Sequence, residues 1–330
     1  MEEKSVLEII QDKVVLGNSL ISIDNAYNIC YIFDHNAVRG AGVSICSVCE
    51  NNKDKEIIFH ALCTGLKAND INKLEQITNK YNILIVLYFI DKNSSFFNNL
   101  VIGTFPITIW YRILLPYIVK CKKILYLDSD IINLGKLEEV FSLNIERYYL
   151  LAVPDTEETS KNRNRALNLG NQIYFNSGVL MINVEKWKNI NASEEILKIA
   201  KDYGERLVLP DQDALNIFFS KREDVYYLDK KYNRVALWKE HNIKEKLSDT
   251  ILLHFVQTKP WQENWLYEKR PYIENLFAKY EELSPWKGMP LERKAQLSYH
   301  DKRKRASFLF SKGKFLEALY WYKEYLKAKF

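Results

Sequence analysis

The stretch that decides the fold is KKILYLDSDIIN, residues 122–133. Its centre, ILYL, is apolar enough for a buried strand, and two carboxylates, Asp128 and Asp130, follow with only Ser129 between them. Two like charges at the end of a buried strand are unfavourable unless a positive partner lies there. Carboxylates at i and i+2 in a turn can both bind one divalent cation, and their oxygens suit Mg²⁺ or Mn²⁺. The stretch therefore predicts a strand that ends in a metal site.

Six further apolar runs have the length and β-branched content of interior strands. They are residues 29–33, 57–62, 83–88, 148–153, 174–183 and 251–256. A helix is predicted over residues 71–81, and this alternation of strands and helices favours an α/β fold with a mostly parallel sheet. Ligands of such sheets bind beyond the carboxyl ends of the strands. Because Asp34 and Asn36 follow the first run, we expect at least two strands to supply one cleft.

Chain length and composition exclude several classes of protein. The longest uninterrupted apolar run, residues 83–90, has eight residues, whereas a membrane-crossing helix needs about 20. The N-terminus is acidic and has neither a basic segment nor a cleavage site for export. We therefore expect a cytoplasmic protein without a transmembrane segment.

The sequence contains one CxxC motif, Cys46 and Cys49, among five cysteines. No second CxxC is present to complete a zinc site, and apolar residues surround the thiols on a predicted helix. We expect both thiols to be reduced and packed as small hydrophobic side chains. Metal or redox chemistry at this motif is the alternative.

Positive charge is concentrated near the C-terminus. Residues 287–330 hold twelve Lys or Arg and four Asp or Glu, a net charge of +8, and the remainder of the chain has a net charge of −3. Phe315, Leu319, Tyr322 and Leu326 recur at helical spacing with lysines around them. A basic amphipathic helix with aromatic residues is typical of the membrane interface, so we expect this tail to bind an anionic membrane surface and no nucleic acid. The alternative is a helix packed on the main domain with its lysines solvated.

A histidine and a lysine distinguish between two kinds of DxD chemistry. Phosphotransferases of the haloacid dehalogenase type also end a strand in DxD, but their motif continues with Gly or Thr, and this chain has Ile131 and Ile132 there. In ILLHFVQTKPW, residues 251–261, His254 lies near a strand end and Lys259 follows five residues later. Two Asp, one His and one Lys suit a metal ion and a diphosphate, and the phosphotransferase is the alternative.

Together these motifs resemble the retaining glycosyltransferases of family 8, which have a GT-A fold with one Rossmann-like domain that binds a nucleotide sugar. The motifs are FDHN, YRILLP, ILYLDSDI, YFNSGVLMINVEKW, LPDQDALN and HFVQTKPW, in that order. Within the family the chain is most similar to the lipopolysaccharide core α-glucosyl- and galactosyltransferases of Gram-negative bacteria, where SPWK and the basic aromatic helix have counterparts. The resemblance implies an N-terminal extension (1–27), a GT-A domain (28–267) and a helical region associated with membrane and acceptor (268–330).

The resemblance also implies roles for individual residues. An Mn²⁺ or Mg²⁺ ion would be held by Asp128, Asp130 and His254. The residues that would bind the UDP-hexose donor are Ile32, Asp34, Asn36, Arg112, Asp128, Ser129, Asn176, Ser177, Gly178, Gln212 and Lys259. The candidate catalytic residues are Gln212, Asp211 and Asp155.

Structural roles are the alternatives for four of these residues. Arg112 could pair with a structural carboxylate, and Asn176 could be a turn residue. Gly178 could only permit close packing, and Asp155 after a proline suits a turn or a helix cap.

One position departs from the family pattern. Gln257 stands where the family commonly has glycine, and the loop from His254 to Lys259 is one residue shorter. Glycine would let backbone N–H groups approach the diphosphate, and the Gln257 amide is the substitute that the chain offers.

The sequence therefore predicts a retaining α-glycosyltransferase that uses UDP-glucose or UDP-galactose and extends the lipopolysaccharide outer core. It would work peripherally on the inner face of the bacterial inner membrane. A front-face reaction is the preferred route, because Gln212 is a poor nucleophile for double displacement. Besides the phosphotransferase, a non-catalytic scaffold that binds a nucleotide sugar is the second alternative.

Overall fold

The computed structural model describes residues 6–236, 247–267, 271–293 and 297–329. Its main sheet has eight strands in the order β1-β4-β3-β2-β5-β8-β7-β9. Numbered in chain order, they are β1 (Ile10–Gly17), β2 (Tyr27–Asp34), β3 (Ile57–Thr64), β4 (Leu84–Ile90), β5 (Lys123–Leu127), β7 (Leu150–Pro154), β8 (Phe175–Asn183) and β9 (Val225–Tyr227). A second sheet has the order β10-β11-β6, with β6 (Ile131–Asn133), β10 (Arg234–Val235) and β11 (Leu252–His254). Every run that the sequence predicted as a strand contributes one.

Helices cover both faces of the main sheet. In the described residues they are α1 (Val38–Asn51), α2 (Ala68–Lys80), α3 (Leu115–Ile118), α4 (Glu138–Ser142), α5 (Glu157–Leu167), α6 (Val184–Asn189), α7 (Ala192–Tyr203), α8 (Pro210–Phe219), α9 (Pro271–Glu282), α10 (Tyr299–Ser311) and α11 (Phe315–Lys329). Cys30 and Ile32 of β2 join the core on one face, and Ile29, Tyr31 and Phe33 join the core on the other. This period of two explains why β2 is apolar without interruption: both of its faces are buried.

The directions of the strands bring polar residues to one edge of the sheet. β2 and β5 are parallel, whereas β8 runs antiparallel to both β5 and β7. The carboxyl ends of β2, β5 and β7 and the start of β8 therefore share an edge. Asp34, Asp128, Asp155 and Asn176 meet there, as the ligand rule for such sheets predicts.

Strand β1 lies within the segment 1–27 that the sequence suggested as an extension. It pairs antiparallel with β4, from Ile10 opposite Ile90 to Gly17 opposite Leu84. This pairing covers the edge of β4 and so protects a strand that would otherwise expose its N–H and C=O groups.

The two thiols of the CxxC motif are packed inside α1. Both Cys46 and Cys49 are free and buried. Burial raises the pKa of Cys46 to about 12, and burial also raises the pKa of Cys49. Neither thiol is a ready nucleophile or ligand, so the interpretation as small hydrophobic side chains is confirmed.

Arg39 connects α1 to the C-terminal part of the chain. Its side chain is only 2% exposed. The guanidinium donates hydrogen bonds to Glu281 Oε1 (2.9 Å), the Pro290 carbonyl (2.7 Å) and the Met289 carbonyl (3.1 Å). A buried charge with three partners holds this junction together.

The tail forms the helices α10 and α11, but its apolar stripe does not pack on the main domain. Phe315, Leu319, Tyr322 and Leu326 are all exposed, and the buried residues of α11 are Ala318 and Tyr325. Among the residues that the structure describes, no helix combines the length and apolarity that crossing a membrane requires.

Candidate active site

A cleft of about 600 Å³ opens at the carboxyl edge of the main sheet. The predicted residues that line it are Ile32, Asp34, Arg112, Asp128, Ser129, Asp130, Asp155, Asn176, Ser177, Asp211, Gln212, His254 and Lys259. Asn36 is exposed next to the cleft, where its backbone N–H donates to Asp34 Oδ1 (2.9 Å). Gly178 lies behind Asp128 and His254. One pocket thus gathers residues that are up to 227 positions apart in the sequence.

The second sheet brings His254 to the two aspartates. The chain turns after β5, passes through Asp128 and Asp130, and continues as β6, which pairs antiparallel with β11. His254 lies opposite Ile131 in that pairing. Its Nε2 is 3.3 Å from Asp130 Oδ1 and 3.7 Å from Asp128 Oδ2. One ligand atom from each of the three residues lies within 4.8 Å of the others, as a single metal ion requires.

Hydrogen bonds determine which nitrogen of His254 faces this cluster. Asn176 Oδ1 accepts from the Gly178 N–H (2.9 Å) and from Asn233 Nδ2 (2.8 Å). The remaining amide atom, Asn233 Oδ1, lies 3.0 Å from His254 Nδ1 and must accept. His254 therefore carries its proton on Nδ1 and presents the Nε2 lone pair to the cluster, the arrangement of a metal-binding histidine.

Gly178 leaves the space that the cluster needs. A Cβ at this position would lie 2.5 Å from His254 Cε1 and 2.9 Å from Asp128 Oδ2. Both distances are shorter than van der Waals contact, so a side chain would displace two predicted ligands. Gly178 therefore permits close packing, as the alternative proposed, and this close packing leaves room for the two predicted ligands.

Lys259 contacts the cluster directly. Its Nζ donates to Asp130 Oδ2 and to the Phe255 carbonyl (3.0 Å). Burial by itself raises the pKa of Asp130, but the charge of Lys259, with His254, outweighs burial and holds that pKa well below its usual range. The carboxylate therefore stays ionised and available as a ligand.

Gln257 has a backbone conformation that glycine adopts more readily than other residues. Its φ is +68°, in the left-handed region that glycine favours. The exposed side chain lines the cleft. An amide is therefore added to the cleft at the place where the family commonly has no side chain.

Arg112 pairs with carboxylates, and both of them line the cleft. Its Nη2 donates to Asp128 Oδ1 (3.2 Å), and its Nη1 lies 3.1 Å from Asp211 Oδ2. A third bond, from Nη1 to the Ser177 carbonyl (2.7 Å), fixes the guanidinium beneath the start of β8. Burial raises the pKa of Asp211; Arg112 opposes the rise and Asp128 adds to it, which leaves a net upward shift.

Asp155 and Gln212 form a second hydrogen-bonded unit. Asp155 Oδ2 accepts from Gln212 Nε2 (2.9 Å) and Asn176 Nδ2 (3.1 Å), and Oδ1 accepts from the Thr156 N–H (2.6 Å). Gln212 Oε1 accepts from the Ser177 N–H (3.0 Å). Asp155 thus has a local role and a place in the cleft at the same time.

Charge balance at the cleft favours a divalent cation. Its lining residues include five aspartates and two permanently positive side chains, Arg112 and Lys259. A nucleotide diphosphate would be repelled by this excess of carboxylates. The oxygen and imidazole donors of Asp128, Asp130 and His254 suit Mg²⁺ or Mn²⁺, so the residues fit the predicted ion.

Among the lining and supporting residues that the sequence did not predict, Tyr126 and Asn233 contact the Asp-Asp-His cluster. Tyr126 donates a hydrogen bond to Asp128 Oδ1, and the Arg112 guanidinium lies 4.7 Å from the centre of its ring. Since residues i and i+2 of a strand face the same side, the position of Tyr126 two residues before Asp128 was a usable signal. Nothing in the sequence indicated Asn233, because its surroundings, KKYNRV, match no motif.

The mixed sheet, the Asp-x-Asp turn at the carboxyl end of β5 and the nearby histidine define a glycosyltransferase of the GT-A class. The chain belongs to glycosyl transferase family 8: the sequence profile of that family matches residues 28–265. A second profile, of the family 8 C-terminal region, matches residues 273–329. The predicted family and fold class are confirmed, and the phosphotransferase alternative is wrong.

Named relatives agree with this assignment. The chain is 31% identical to a lipopolysaccharide 1,2-glucosyltransferase of Escherichia coli, with 94% of each chain covered. It is 27% identical to a lipopolysaccharide 1,3-galactosyltransferase of Salmonella typhimurium, with 98% of this chain and 97% of that protein covered. In fold it is similar to the galactosyltransferase LgtC, solved with donor and acceptor sugar analogues, at a TM-score of 0.64 and 23% identity over 78% of this chain and 96% of that one.

Proposed function

We propose that this glycosyltransferase transfers a hexose from UDP-glucose or UDP-galactose to the lipopolysaccharide outer core with retention of configuration. The observation that carries the proposal is the cluster of Asp128, Asp130 and His254 at the donor cleft of a family 8 enzyme. The acceptor class is supported by the relatives, which are lipopolysaccharide glucosyl- and galactosyltransferases.

Donor binding in this proposal divides the cleft into three parts. Asp34 and Asn36, with the backbone of Ile32, take the uracil and ribose. A divalent ion on the Asp-Asp-His cluster supplies positive charge to the diphosphate and to the leaving UDP. Lys259, which already lies beside that cluster, provides a second charge at the same place.

The sugar part of the donor lies among polar residues of β8 and α8. Asn176, Ser177 and the first turn of α8 surround this space, with Arg112 beneath them. Asp211 and Gln212 are the two side chains of that turn which line the cleft. They are placed to hold the hexose hydroxyls.

A front-face reaction suits the state of the two candidate carboxylates. Asp155 accepts hydrogen bonds on both oxygens, and Asp211 is paired with Arg112 and accepts from the Ser177 hydroxyl (3.1 Å). These contacts occupy oxygen lone pairs that an attack on the anomeric carbon would need, and burial raises the pKa of Asp211, which disfavours its nucleophilic, ionised form. We therefore expect the departing UDP oxygen to accept the proton of the incoming hydroxyl while an oxocarbenium-like transition state forms. A glycosyl-enzyme adduct on Asp155 or Asp211, detected by mass spectrometry, would contradict this route.

The proposed location is the cytoplasmic face of the bacterial inner membrane, with residues 268–330 as the region that meets membrane and acceptor. The exposed stripe of Phe315, Leu319, Tyr322 and Leu326 supports this location, because it is an apolar surface that the main domain leaves uncovered. Lysines around the stripe add attraction to anionic lipid of about 1 kcal/mol per basic residue.

The direct test is UDP release from a panel of UDP-sugars, measured without acceptor, with Mn²⁺ and with EDTA. We expect slow, metal-dependent hydrolysis of UDP-glucose or UDP-galactose alone, which would also identify the donor. Equal release in EDTA would contradict the metal-dependent mechanism. If no donor is hydrolysed by the folded protein, calorimetry with each UDP-sugar separates an absolute acceptor requirement from the scaffold alternative.

A further inference from the structure

A second cavity lies between the 3₁₀ turn Glu263–Tyr267 and the hairpin formed by α10 and α11. Its volume is about 690 Å³. Its walls carry basic, aromatic and other side chains: Arg293, Lys302 and Arg305; Tyr267, Tyr320 and Trp321; Glu263, Asn264, Glu324 and Leu297. None of these residues lines the donor cleft.

The aromatic side chains form walls suited to a sugar ring. The Arg305 guanidinium lies 4.2 Å from the centre of the Trp321 ring and 5.9 Å from that of Tyr267. Tyr320 completes this side of the cavity and is more than half exposed. Tyr267 is buried, so Tyr320 and the half-buried Trp321 are the rings whose surface a pyranose can reach with its C–H face.

Two buried polar atoms of the cavity have no partner in the described part of the protein. They are Arg305 Nε, a donor, and Asn264 Oδ1, an acceptor. The rest of each side chain is held in place: Arg305 Nη2 lies 3.1 Å from Glu263 Oε1, and Asn264 Nδ2 donates to Asp301. Buried polar groups are rarely left unpaired, and both atoms belong to side chains that line the cavity. A small rotation of either side chain would turn its atom towards a ligand with hydroxyl groups, which both donate and accept.

The charges of the cavity favour an anionic ligand. Its walls contain three permanently positive side chains and two carboxylates. Arg305 and Arg293 both lie near Glu263, at 3.1 and 3.7 Å. Lys302 acts electrostatically on Glu324 of the same cavity, so the three basic and two acidic side chains leave an excess of one positive charge.

The position of the cavity connects the donor cleft with the exposed stripe of α11. Lys259 lines the donor cleft, and the Gln262 N–H donates to its carbonyl (3.0 Å), so the turn at Glu263 follows directly. On the other side, Tyr320 and Trp321 belong to the helix that carries Leu319 and Tyr322. A lipid-linked acceptor that reaches the cleft from the membrane would pass this cavity.

We propose that the cavity binds a negatively charged sugar of the acceptor, a pyranose that carries a phosphate or carboxylate group. The identity of the acceptor rests on the proposed function, whereas the chemistry of the ligand rests on the cavity. A phosphatidylglycerol headgroup shares the charge, but it has no ring for Trp321 and Tyr320 to stack on.

The test uses the full chain without donor and ligand-observed NMR with four probes: mannose 6-phosphate, mannose, inorganic phosphate and phosphatidylglycerol vesicles. We expect mannose 6-phosphate to bind more tightly than mannose or phosphate. Lys302→Gln removes a charge-assisted contact and should weaken that binding about tenfold. Trp321→Ala should weaken it to a similar extent, and the unfolding temperature of each variant shows whether the hairpin is intact.

The matched control is Lys312→Gln, which removes the same charge from the tail outside the cavity. It should bind mannose 6-phosphate like the parent protein. Equal binding by Lys302→Gln and the parent, or phosphate bound as tightly as mannose 6-phosphate, would overturn the proposal. Vesicle binding that falls in Lys302→Gln and not in Lys312→Gln would also overturn it, in favour of a headgroup site.

A kinetic readout separates this inference from the proposed function. With a lipopolysaccharide core acceptor, Lys302→Gln should raise the KM for the acceptor with little change in kcat, because the cavity is remote from the reacting atoms. An unchanged KM would contradict the inference. If the parent protein transfers no hexose from any UDP-hexose to the core acceptor, the proposed function fails, and binding of mannose 6-phosphate still decides whether the cavity is a sugar site.

Discussion

At the scale of single residues, the predicted metal cluster depends on the lack of a side chain at Gly178. Gly178→Ala would place a methyl group against His254 and Asp128, whose atoms lie 2.5 and 2.9 Å from the position of a Cβ. We expect Mn²⁺ affinity to fall at least about tenfold, in the range found when metal sites lose their geometry. Titration followed by electron paramagnetic resonance of free Mn²⁺ measures it.

Gly170→Ala is the matched control for this substitution. A Cβ at Gly170 meets no atom within 4 Å, although the residue has a φ of +66°. It should cost stability through backbone strain of about 1 kcal/mol and leave Mn²⁺ affinity unchanged. Equal loss of affinity in both variants would mean that Gly178 acts through global stability.

Asn233 is predicted to act by orienting His254. Asn233→Ala removes the acceptor for His254 Nδ1 and the donor to Asn176 Oδ1. Loss of such an outer partner typically lowers metal affinity about 10- to 100-fold. The measurement is again Mn²⁺ binding without donor.

Asn233→Asp separates the two hydrogen bonds. It keeps an acceptor for His254 Nδ1 and loses the donor to Asn176. Mn²⁺ affinity should therefore recover towards that of the parent, while the KM for the donor rises. If Asn233→Asp binds Mn²⁺ as poorly as Asn233→Ala, orientation of His254 is not the role of this residue.

The sequence predicted those site residues whose chemistry is visible in a motif. It did not predict which of these residues contact one another. Asp128 and Asp130 stand together in the chain, whereas their proximity to His254 depends on the pairing of β6 with β11. Asn233 could not be found because its importance comes from what it touches. Side chains that support a ligand have no fixed spacing from it.

At the scale of elements, α1 is predicted to set the position of the Asp-x-Asp turn through Gly40. A Cβ at Gly40 would lie 2.3 Å from the Trp261 ring and 2.6 Å from the Ser129 carbonyl. Gly40→Ala should cost about 1 to 3 kcal/mol of stability through overpacking, because helix propensity offsets only about 1 kcal/mol of the overlap. It should also weaken UDP binding, measured by calorimetry, since the displaced backbone lies between two predicted metal ligands.

Gly42→Ala on the same helix is the control. Its Cβ would lie 2.1 Å from the Trp286 ring and has no contact with the turn. We expect a similar loss in the free energy of unfolding with UDP binding retained. Loss of UDP binding in both variants would show that α1 affects the site only through stability.

The stability of the protein is predicted to depend on pH through His60, a buried residue of β3. Burial, with Lys13 adding to it, lowers the pKa of His60 to about 3, and its Nε2 lies 3.0 Å from Asn28 Oδ1. The folded chain therefore keeps His60 neutral, whereas the unfolded chain binds a proton below about pH 6.5. Stability from this residue is complete above pH 6.5 and falls as the pH drops towards 3.

Between pH 7.5 and pH 5.5 this linkage should cost about 1.4 kcal/mol. His60→Gln removes the titrating group. The free energy of unfolding of the variant, measured with urea, should therefore fall by about 1.4 kcal/mol less than that of the parent over the same interval. The exposed His300→Gln serves as the control. If His60→Gln and His300→Gln depend on pH alike, His60 is not the source of the dependence.

Strands were predictable from the sequence to within a few residues, because an interior strand must be apolar on both faces. The bulge where β8 pairs with β7, between Ala152 and Val153, was not predictable. It carries Asn176 and its neighbours into the cleft, and it depends on the register between two strands. β1 was equally invisible, since its outer residues are polar and only its pairing with β4 makes it a strand.

At the scale of the whole molecule, membrane attachment is predicted to depend on the tail. Deletion of residues 302–330 removes α11 with its exposed stripe and most of the excess positive charge. The truncated protein should no longer sediment with phosphatidylglycerol vesicles, while calorimetry should still detect UDP binding. Sedimentation that persists would contradict the membrane role of the tail.

A substitution in the full chain gives a stricter form of the same test. Leu316 and Leu319 are 85% and 65% exposed, so Leu316→Glu with Leu319→Glu changes the surface without removing core contacts. Vesicle binding should fall more than it does when two lysines outside the stripe are replaced by glutamine. An equal fall would mean that charge alone attaches the protein.

The buried Arg39 has a consequence for how such an enzyme would select its acceptor. Detaching the C-terminal region would leave that guanidinium without Glu281 and two carbonyls, at a cost of about 3 to 5 kcal/mol. These contacts therefore hold α9 and the segment up to Pro290 rigidly against α1, which packs beside the Asp-x-Asp turn of the cleft. On a bilayer, such a rigid connection would hold the cleft at a fixed height above the lipid. The enzyme would then modify the acceptor sugar that its lipid anchor presents at that height.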